Sequence, residues 1–266
     1  MATRIGCCIN MLCGNQDEKA MRYIDELAQI GYDYLELPLT QIMELTDVEF
    51  SIMRDDIDKK NIGCWVCNDF FPASIKITGP NIDLQKIDDY LDTALRRAKA
   101  LGAQIIVFGS GGARCVPAGF PKDEAFRQLV GFLRTVSKKI KSHGMIIAIE
   151  PLNREECNII NSIDEAFELC RAVNADNVQI LADYYHMFKE NEDIDIMSGE
   201  KKCRLIHAHV SDPRKGRLFP TDARTHRAFL DKVKECRVGT ISVEGYTANF
   251  GQDARKSLEL LKNALN

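Results

Sequence analysis

Four side chains that can bind a metal ion or transfer a proton each follow a short apolar run in the second half of the sequence. They are Glu150, Asp183, His209 and Glu244. Any one of them could pair with a neighbouring Lys or Arg, but four successive occurrences are difficult to explain by packing. Three carboxylates brought close together would repel one another unless a cation neutralised their charge. The pattern predicts a site for one divalent metal ion, and three oxygen ligands with one imidazole suit Mn²⁺, Co²⁺ or Mg²⁺.

The four residues can meet only if the apolar runs before them are neighbouring strands. Eight short runs, rich in β-branched residues, alternate along the 266 residues with segments whose apolar residues recur every three or four positions. The predicted strands are residues 5–9, 34–37, 63–67, 105–108, 146–150, 178–183, 205–210 and 241–244. The clearest predicted helices are residues 17–30, 87–101, 126–140 and 163–173, whereas residues 193–202 are only weakly periodic.

This alternation predicts a single (β/α)8 TIM barrel, with residues 1–266 as one catalytic domain. Eight strands, each followed by a helix, is the number that closes a parallel barrel, and active sites lie at the carboxyl ends of such strands. The predicted strands are continuously apolar, as expected when both faces of a sheet are covered. An open doubly wound sheet is the alternative, but it usually has a glycine-rich first turn, and residues 10–15 contain no GxGxxG motif.

Composition and charge argue against several classes of partner. The formal net charge is −4, which disfavours nucleic acid or an anionic membrane as the main partner. The sequence has neither an apolar run of about 20 residues nor an evident signal peptide, so we expect no membrane partner and a cytoplasmic location. Most of the 10 cysteines lie in apolar runs, and the lone CxxC pair of Cys64 and Cys67 predicts reduced, buried thiols rather than a metal site.

Short motifs around the four candidate ligands resemble those of one enzyme family. The motifs are Glu150-Pro151-Leu152-Asn153-Arg154 with Glu156, Asp183-Tyr184-Tyr185-His186-Met187, His207-Ala208-His209 and Val243-Glu244-Gly245. They are similar to the motifs of the D-tagatose/D-psicose 3-epimerase family, which belongs to the xylose isomerase-like barrels of sugar isomerases and epimerases. The resemblance is strong in the second half of the chain and limited to the alternation of strands and helices in the first half.

The resemblance implies roles for individual residues. The implied metal ligands are Glu150, Asp183, His209 and Glu244. Glu156 and His186 match positions that hold the sugar in the family. The family also places an arginine soon after the metal-binding histidine. Simple counting puts Lys215 in that position, between Arg214 and Arg217, and we expect Arg217 to reach the substrate.

Two further features of the predicted site are less well defined. The family has a tryptophan in the loop after the fourth strand, whereas residues 109–114 here have the sequence Gly-Ser-Gly-Gly-Ala-Arg. Exposed backbone N–H groups in this loop, beginning at Gly109, could contact an anion or a hydroxyl-rich substrate, or the loop could be a plain turn. His207 shares a strand face with His209, and we expect it to pack or to support the site rather than to ligate the metal.

The residues and the resemblance together imply proton transfer on a sugar. A divalent ion would stabilise an enediolate as a Lewis acid, while two carboxylates on opposite sides of the carbon act as base and acid. Glu150 and Glu244 are the expected pair, and the sequence does not say which removes the proton first. We therefore expect C3 epimerisation of a ketose, with Mn²⁺ as the most suitable metal and a small-molecule sugar as the ligand. A homodimer or homotetramer is an open option, since many relatives form one.

Other reactions are compatible with the same residues. An aldose–ketose isomerase uses the same enediolate chemistry, and metal-assisted β-elimination on a keto-glycoside begins with the same proton abstraction. A non-catalytic sugar-binding barrel is a further alternative from a different class. A hydrolase of the apurinic-site endonuclease type is disfavoured, because it needs several zinc ions and a basic DNA-binding face, whereas this sequence has five histidines and a net charge of −4.

Overall fold

Eight parallel strands close into a barrel whose strand order follows the sequence. The computed structural model describes residues 3–9 and 20–265. The strands are β1 (Arg4–Cys8), β2 (Tyr34–Pro38), β3 (Gly63–Asn68), β4 (Ile105–Phe108), β5 (Ile146–Ile149), β6 (Val178–Asp183), β7 (Leu205–Val210) and β8 (Thr240–Val243). β8 pairs with β1, from Arg4 opposite Thr240 to Cys7 opposite Val243, and this pairing closes the barrel. The predicted (β/α)8 fold is confirmed.

All eight predicted strands are present, and their ends differ from the prediction by at most one residue. The predictions for β5 and β8 are wrong at the carboxyl end, because Glu150 and Glu244 stand just beyond their strands. Their backbones nevertheless remain attached to the barrel. The Glu150 N–H donates to the Phe108 carbonyl at 3.2 Å, and the Glu244 N–H donates to the Val210 carbonyl at 3.1 Å. The preceding strands therefore still fix the direction in which both carboxylates leave the barrel.

Ten α-helices in the described residues connect the strands. They are α1 (Ala20–Ile30), α2 (Leu39–Glu44), α3 (Asp47–Asp58), α4 (Leu84–Ala100), α5 (Gly111–Arg114), α6 (Lys122–Lys141), α7 (Ile163–Val173), α8 (Tyr184–Lys189), α9 (Ala223–Cys236) and α10 (Phe250–Leu265). The first three residues of the helix predicted at 17–30, and the turn at 10–15, lie outside the described residues.

The weakly periodic segment at 193–202 forms no α-helix. It contains two short 3-10 helices, Ile194–Met197 and Gly199–Arg204. Ser198 has an extended backbone (φ −87°, ψ −179°), and Gly199 has a positive φ of 69°, so the chain cannot continue as one helix through these positions. The conformation explains why the apolar spacing is irregular there.

Helix starts are set by side chains that accept hydrogen bonds from otherwise unpaired backbone N–H groups. Thr46 and Glu49 form a reciprocal capping box at α3. Asp83 accepts from Lys86 N–H at α4, and Ser162 accepts from Glu165 N–H at α7. Behind these caps the helices bury one apolar face against the strands. In α4 the buried apolar residues are Ile87, Leu91, Ala94, Leu95 and Ala98.

The side chains inside the barrel are aromatic near the amino ends of the strands and polar farther along. Near the amino ends of the strands, the Tyr34 ring stacks on Trp65 with a centroid separation of 5.6 Å. Gly6 makes room for this ring, because a Cβ at Gly6 would lie 2.2 Å from it. Farther along the strands the interior is polar and buried, with Glu36 and His209 fully inaccessible to solvent. The predicted ligands lie at the carboxyl ends of the strands, where the barrel interior opens into a cavity.

Two properties of the described residues concern the environment of the protein. None of their helices combines the length and the apolar character that a membrane span requires. All their cysteines are unpaired thiols, in agreement with the predicted reduced state. The sulfur atoms of the buried Cys64 and Cys67 lie 3.9 Å apart in the wall of the barrel.

Candidate metal and substrate site

The carboxyl ends of the last four strands bring together all four predicted metal ligands. His209 Nδ1 lies 3.1 Å from Glu150 Oε1, 3.2 Å from Glu244 Oε2 and 3.7 Å from Asp183 Oδ2. One donor atom from each of the four residues lies within 4.8 Å of every other, and all four side chains are buried. This spacing leaves the donor atoms free to surround a single ion. Three carboxylate oxygens and one imidazole nitrogen therefore form a group that fits one divalent cation.

The crowding of charge changes the proton affinities of the group. Burial raises the pKa of Glu150 above its ordinary value, against the opposing hydrogen bond from His209. Burial also acts to raise the pKa of Glu244, but the positive charges of His209 and Arg217 outweigh it and lower that pKa. For His209, burial alone would lower the pKa, yet the neighbouring carboxylates Glu36 and Glu244 raise it well above the ordinary value. The carboxylates thus draw positive charge to this point, as a metal site requires.

Asp183 has two structural tasks, one for each of its carboxylate oxygens. Oδ1 accepts hydrogen bonds from the backbone N–H groups of Tyr185 at 2.6 Å and His186 at 3.2 Å, and so caps α8. Oδ2 faces His209 and the other ligands. Burial opposes ionisation of Asp183, but the positive charges around it prevail and lower its pKa. The helix cap fixes the orientation of the carboxylate and so presents Oδ2 to the other three candidate ligands.

His186 presents an N–H group to the pocket. Its Nδ1 accepts the Asn153 backbone N–H at 3.1 Å and lies 2.8 Å from Asn153 Nδ2. Since an atom that accepts the backbone N–H cannot itself bear a proton, the ring proton of the neutral imidazole is on Nε2. Nε2 is buried and makes no hydrogen bond within the described residues, although the residue lines the pocket. A buried donor without a partner suits a substrate oxygen.

Arg217 is the one basic residue of its loop that enters the site. Gly216 and Arg217 both have positive φ, 71° and 67°, and the Arg217 N–H donates to the Asp212 carbonyl at 3.1 Å. This tight loop directs the guanidinium inward, where Nη2 lies 2.5 Å from Glu244 Oε2. By contrast, Arg214 and Lys215 are exposed. Lys215 pairs with Asp212 instead, at 3.3 Å.

Glu156 completes the group at the mouth of the barrel. One of its carboxylate oxygens lies 3.6 Å from Arg217 Nη1, and Asn153 Nδ2 donates to the same oxygen at 3.0 Å. Asn153 therefore contacts both Glu156 and His186, the two side chains expected to hold the sugar. The arrangement links their orientations.

Gly109 lies in the pocket wall, where a larger residue would collide with a predicted ligand. A Cβ at this position would be 2.2 Å from Glu150 Oε2. The prediction of an open cradle of N–H groups is wrong for Ala113 and Arg114, because α5 forms there and both N–H groups donate to the Ser110 carbonyl. The Arg114 guanidinium is fully buried and donates to the Glu150 carbonyl at 2.8 Å. The loop thus holds the backbone of Glu150 in place.

Sequence reasoning missed most of the residues that β2, β3 and the segments after them contribute. The cavity of about 440 Å³ above the four ligands is also lined by Thr40, Glu44, Asn68, Asp69 and Phe71. These residues follow β2 and β3, where the motifs gave no guide. Glu36 was also missed, although an acidic residue inside an apolar strand, two positions after Tyr34 and on the same face, was a usable indication.

Residues 24–264 match the family described as xylose isomerase-like TIM barrel, which agrees with the closed barrel and its site. The chain belongs to this family. Within the xylose isomerase-like TIM barrels, a D-psicose 3-epimerase from Ruminiclostridium cellulolyticum is 24% identical over 208 residues, which cover 74% of this chain and 69% of the relative. The match extends over most of both proteins.

Solved structures show the same fold. The structure of D-psicose 3-epimerase with D-tagatose from Clostridium cellulolyticum H10 has a TM-score of 0.87 and 18% identity, and the alignment covers 99% of this chain and 100% of that one. The structure of the IOLI protein with a bound zinc atom has a TM-score of 0.73 and 17% identity, covering 99% and 98% of the two chains. The names of the epimerase relatives agree with the enzyme class predicted from the sequence, an isomerase acting on sugars.

Proposed function

We propose that this chain is a divalent-metal-dependent ketose 3-epimerase. The observation that supports it most directly is the convergence of Glu150, Asp183, His209 and Glu244, two of which, Glu150 and Glu244, line one cavity. The same cavity is lined by His186, Glu156 and Arg217, which can hold a polyhydroxy substrate. The relatives named D-psicose 3-epimerase, one of them solved with D-tagatose, support a free ketose as the substrate.

The metal would be held by the three carboxylates and by His209 Nδ1. An oxygen-rich set with one nitrogen favours Mn²⁺, with Co²⁺ or Mg²⁺ as alternatives, and the zinc atom in a structural neighbour supports metal binding in this fold. When bound, the ion supplies Lewis-acid stabilisation of the negative charge that forms on the substrate oxygens.

The proton transfers are assigned to Glu150 and Glu244. Each glutamate directs one carboxylate oxygen toward His209, Oε1 of Glu150 and Oε2 of Glu244. The second oxygen of each is the one that we assign to proton transfer, and on Glu244 this oxygen accepts the Asn68 side-chain amide at 3.5 Å. One glutamate removes the proton from C3, and the electron pair moves into the C2 carbonyl to form an enediolate. The other glutamate then protonates C3 on the opposite face, and the carbonyl is restored. The two carboxyl groups end the reaction with their protonation states exchanged.

The remaining polar groups orient the substrate. His186 donates its Nε2–H to a substrate oxygen, while the Arg217 guanidinium and the Glu156 carboxylate bind hydroxyl groups near the mouth of the cavity. These contacts hold C3 between the two catalytic carboxylates. Holding the reacting groups in this geometry accelerates the proton transfer.

The proposal is tested by metal content and by the position of isotope exchange. Purified protein is analysed for bound metal, supplied with Mn²⁺, and incubated in D₂O with D-fructose, D-psicose and D-tagatose, and NMR locates the deuterium. We expect one ion per chain and deuterium at C3. Deuterium at C1 would replace the proposal with an aldose–ketose isomerase, and failure to bind any divalent metal would refute it.

The loop at 212–217 offers a matched pair of variants for the same assay. Arg217→Met removes a guanidinium that lines the cavity, and Arg214→Met removes an exposed one from the same loop. We expect KM to rise at least tenfold for Arg217→Met, because a charge-assisted hydrogen bond contributes about 1.5–3 kcal/mol. Arg214→Met should behave as the unmodified protein does, and equal effects of the two changes would contradict the substrate-binding role of Arg217.

A further inference from the structure

A fifth carboxylate, Glu36, lies directly behind the group of metal ligands. It is fully buried in the interior of the barrel, and one of its oxygens lies 2.8 Å from His209 Nε2. Its other oxygen lies 3.0 Å from His207 Nε2 and accepts the Ser242 hydroxyl at 2.6 Å. His209 therefore has carboxylates on both sides of its ring, with three facing Nδ1 and Glu36 facing Nε2.

Two hydroxyl groups form a directed hydrogen-bond chain to Glu36. Ser242 donates its single hydroxyl proton to Glu36, so the Tyr34 hydroxyl at 2.9 Å must donate to Ser242. His207 lies on the other side of Glu36, with Nε2 3.0 Å from the carboxylate and Nδ1 2.8 Å from the Thr240 hydroxyl and 3.1 Å from the Thr240 carbonyl. An ionised carboxylate accepts hydrogen bonds and donates none, so the direction of the Tyr34–Ser242–Glu36 hydrogen bonds is fixed. Tyr34, Ser242 and Glu36 therefore form a chain of hydrogen bonds that ends on the negative charge of Glu36.

The consequence for His209 concerns the metal-bound state, in which the ring must be a neutral imidazole. It bears one ring proton, and only the nitrogen without that proton can bind a metal. The carboxylates of Glu150 and Glu244 would attract the proton to Nδ1, where it would block coordination. Glu36 attracts the same proton to Nε2, and it is closer to the ring. Glu36 lies 2.8 Å from Nε2, whereas Glu150 and Glu244 lie 3.1 and 3.2 Å from Nδ1. The only other acceptor near Nε2 in the described residues, the Cys8 sulfur, lies 4.0 Å away.

We propose that Glu36 is a positioning residue that keeps the His209 proton on Nε2, so that Nδ1 is free to bind the metal. The inference rests on the proposed function, because it assumes a metal held by the four ligands. Hydrogen-bond partners of metal-binding histidines typically affect metal affinity by about 10- to 100-fold. Glu36 differs from the catalytic glutamates in that it touches neither the cavity nor the substrate, and it acts through His209 alone.

The test is the Mn²⁺ affinity of Glu36→Gln, measured on the full-length protein by calorimetry or electron paramagnetic resonance. Glutamine keeps the shape of Glu36 but loses the negative charge and turns one acceptor into a donor. We expect Mn²⁺ binding to weaken by about 10- to 100-fold. The visible spectrum of the Co²⁺-loaded variant should also shift, since it reports the ligand geometry. Equal Mn²⁺ affinity and an unchanged Co²⁺ spectrum would overturn the inference.

Tyr34→Phe is the matched control. It removes a buried hydroxyl from the far end of the same chain without touching His209, so its Mn²⁺ affinity should stay within about threefold of the unmodified protein. An equal loss of affinity in both variants would mean that any disturbance of the barrel interior weakens the site, and would overturn a specific role for Glu36. If the unmodified protein itself binds no Mn²⁺, the proposed function fails. If it binds Mn²⁺ and Glu36→Gln binds equally well, only the role of Glu36 fails.

A measurement on the unmodified protein covers the case in which Glu36→Gln does not fold. Long-range ¹H–¹⁵N correlation spectra of the ¹⁵N-histidine-labelled, Zn²⁺-loaded protein identify which nitrogen of His209 bears the proton. A proton on Nε2, with Nδ1 bound to the metal, is the expected result. A proton on Nδ1 would overturn the inference, whatever the variant does.

Discussion

Gly109 and the Glu150 carboxylate lie so close together that no Cβ fits between them. A Cβ at Gly109 would be 2.2 Å from Glu150 Oε2, the oxygen that we assign to proton transfer. We therefore expect Gly109→Ala to displace this carboxylate and to lower kcat by about 10²-fold, the typical cost of misplacing a reacting group by about 1 Å. Steady-state kinetics at saturating Mn²⁺ measures the effect. Unchanged kcat would show that Glu150 is not a proton-transfer group in this geometry.

Gly131 provides the control for a glycine-to-alanine change. It lies on the exposed side of α6, and a Cβ there would meet nothing within 4 Å. Gly131→Ala should leave kcat unchanged and should stabilise the helix by about 0.5–1 kcal/mol, because glycine has more conformational freedom to lose on folding. Comparing the two variants separates the general effect of adding a methyl group from its effect on the Glu150 carboxylate.

At the scale of helices and strands, Asp183 connects the cap of α8 to the metal position. Asp183→Asn keeps an oxygen that can accept the N–H groups of Tyr185 and His186, but it replaces the ligand oxygen by an amide nitrogen. We expect the metal-free variant to unfold at the same urea concentration as the unmodified protein, while Mn²⁺ binding weakens by at least about tenfold. Asp183→Ala loses both functions, and its lost cap should cost about 0.5–2 kcal/mol of stability. Equal urea stability of the alanine and asparagine variants would contradict the capping role.

A carboxyl group from the segment after α8 contacts the start of α7, and its ionisation opposes folding. Glu192 accepts the Ile163 backbone N–H at 2.8 Å, and burial raises its pKa from 4.5 to about 7. A pKa raised in the folded state means that the folded protein binds the proton more tightly than the unfolded chain, so stability falls as the pH rises from about 4.5 to 7. Glu192→Gln should therefore raise the thermal midpoint at pH 8 relative to the unmodified protein, and much less at pH 5.

Thermal unfolding at the two pH values measures this difference. Glu168→Gln, on the exposed side of the same helix, is the control for the loss of a negative charge near α7. A stabilising effect of Glu192→Gln that is equal at pH 5 and pH 8 would contradict the assignment of the effect to ionisation.

For the whole molecule, the metal should act as a stabilising ligand of the folded state. The unfolded chain does not gather the four ligands, so Mn²⁺ binds the folded protein preferentially. At a free Mn²⁺ concentration about 100 times Kd, the stabilisation is about 2.7 kcal/mol. We expect the thermal midpoint to rise by roughly 5–10 °C with Mn²⁺. EDTA should reverse the rise, and Glu244→Gln should reduce it. A midpoint independent of Mn²⁺ would contradict preferential binding to the folded state.

The architecture could be predicted from the sequence because short, continuously apolar runs alternate with segments whose apolar residues recur every three or four positions. Alternating strands and helices gave the barrel, and the position of Glu150, Asp183, His209 and Glu244 at strand ends was sufficient to bring them together. Glu36 was not identified because both faces of a parallel barrel strand are covered, so the pattern of apolar residues does not show which face points inward. Arg217 could not be separated from Lys215 by counting, because its position depends on a left-handed backbone that arginine seldom adopts.

The pairing of β8 with β1 has a consequence for how the protein is made. Synthesis proceeds from the amino terminus, and β8 is the last strand of the barrel to leave the ribosome. That strand closes the sheet against β1, and the residue that follows it, Glu244, is the last of the four ligands. A nascent chain that ends before residue 240 thus has an open sheet edge and an incomplete ligand set at the same time. Closure of the barrel and completion of the proposed ligand set therefore both wait for the same short segment.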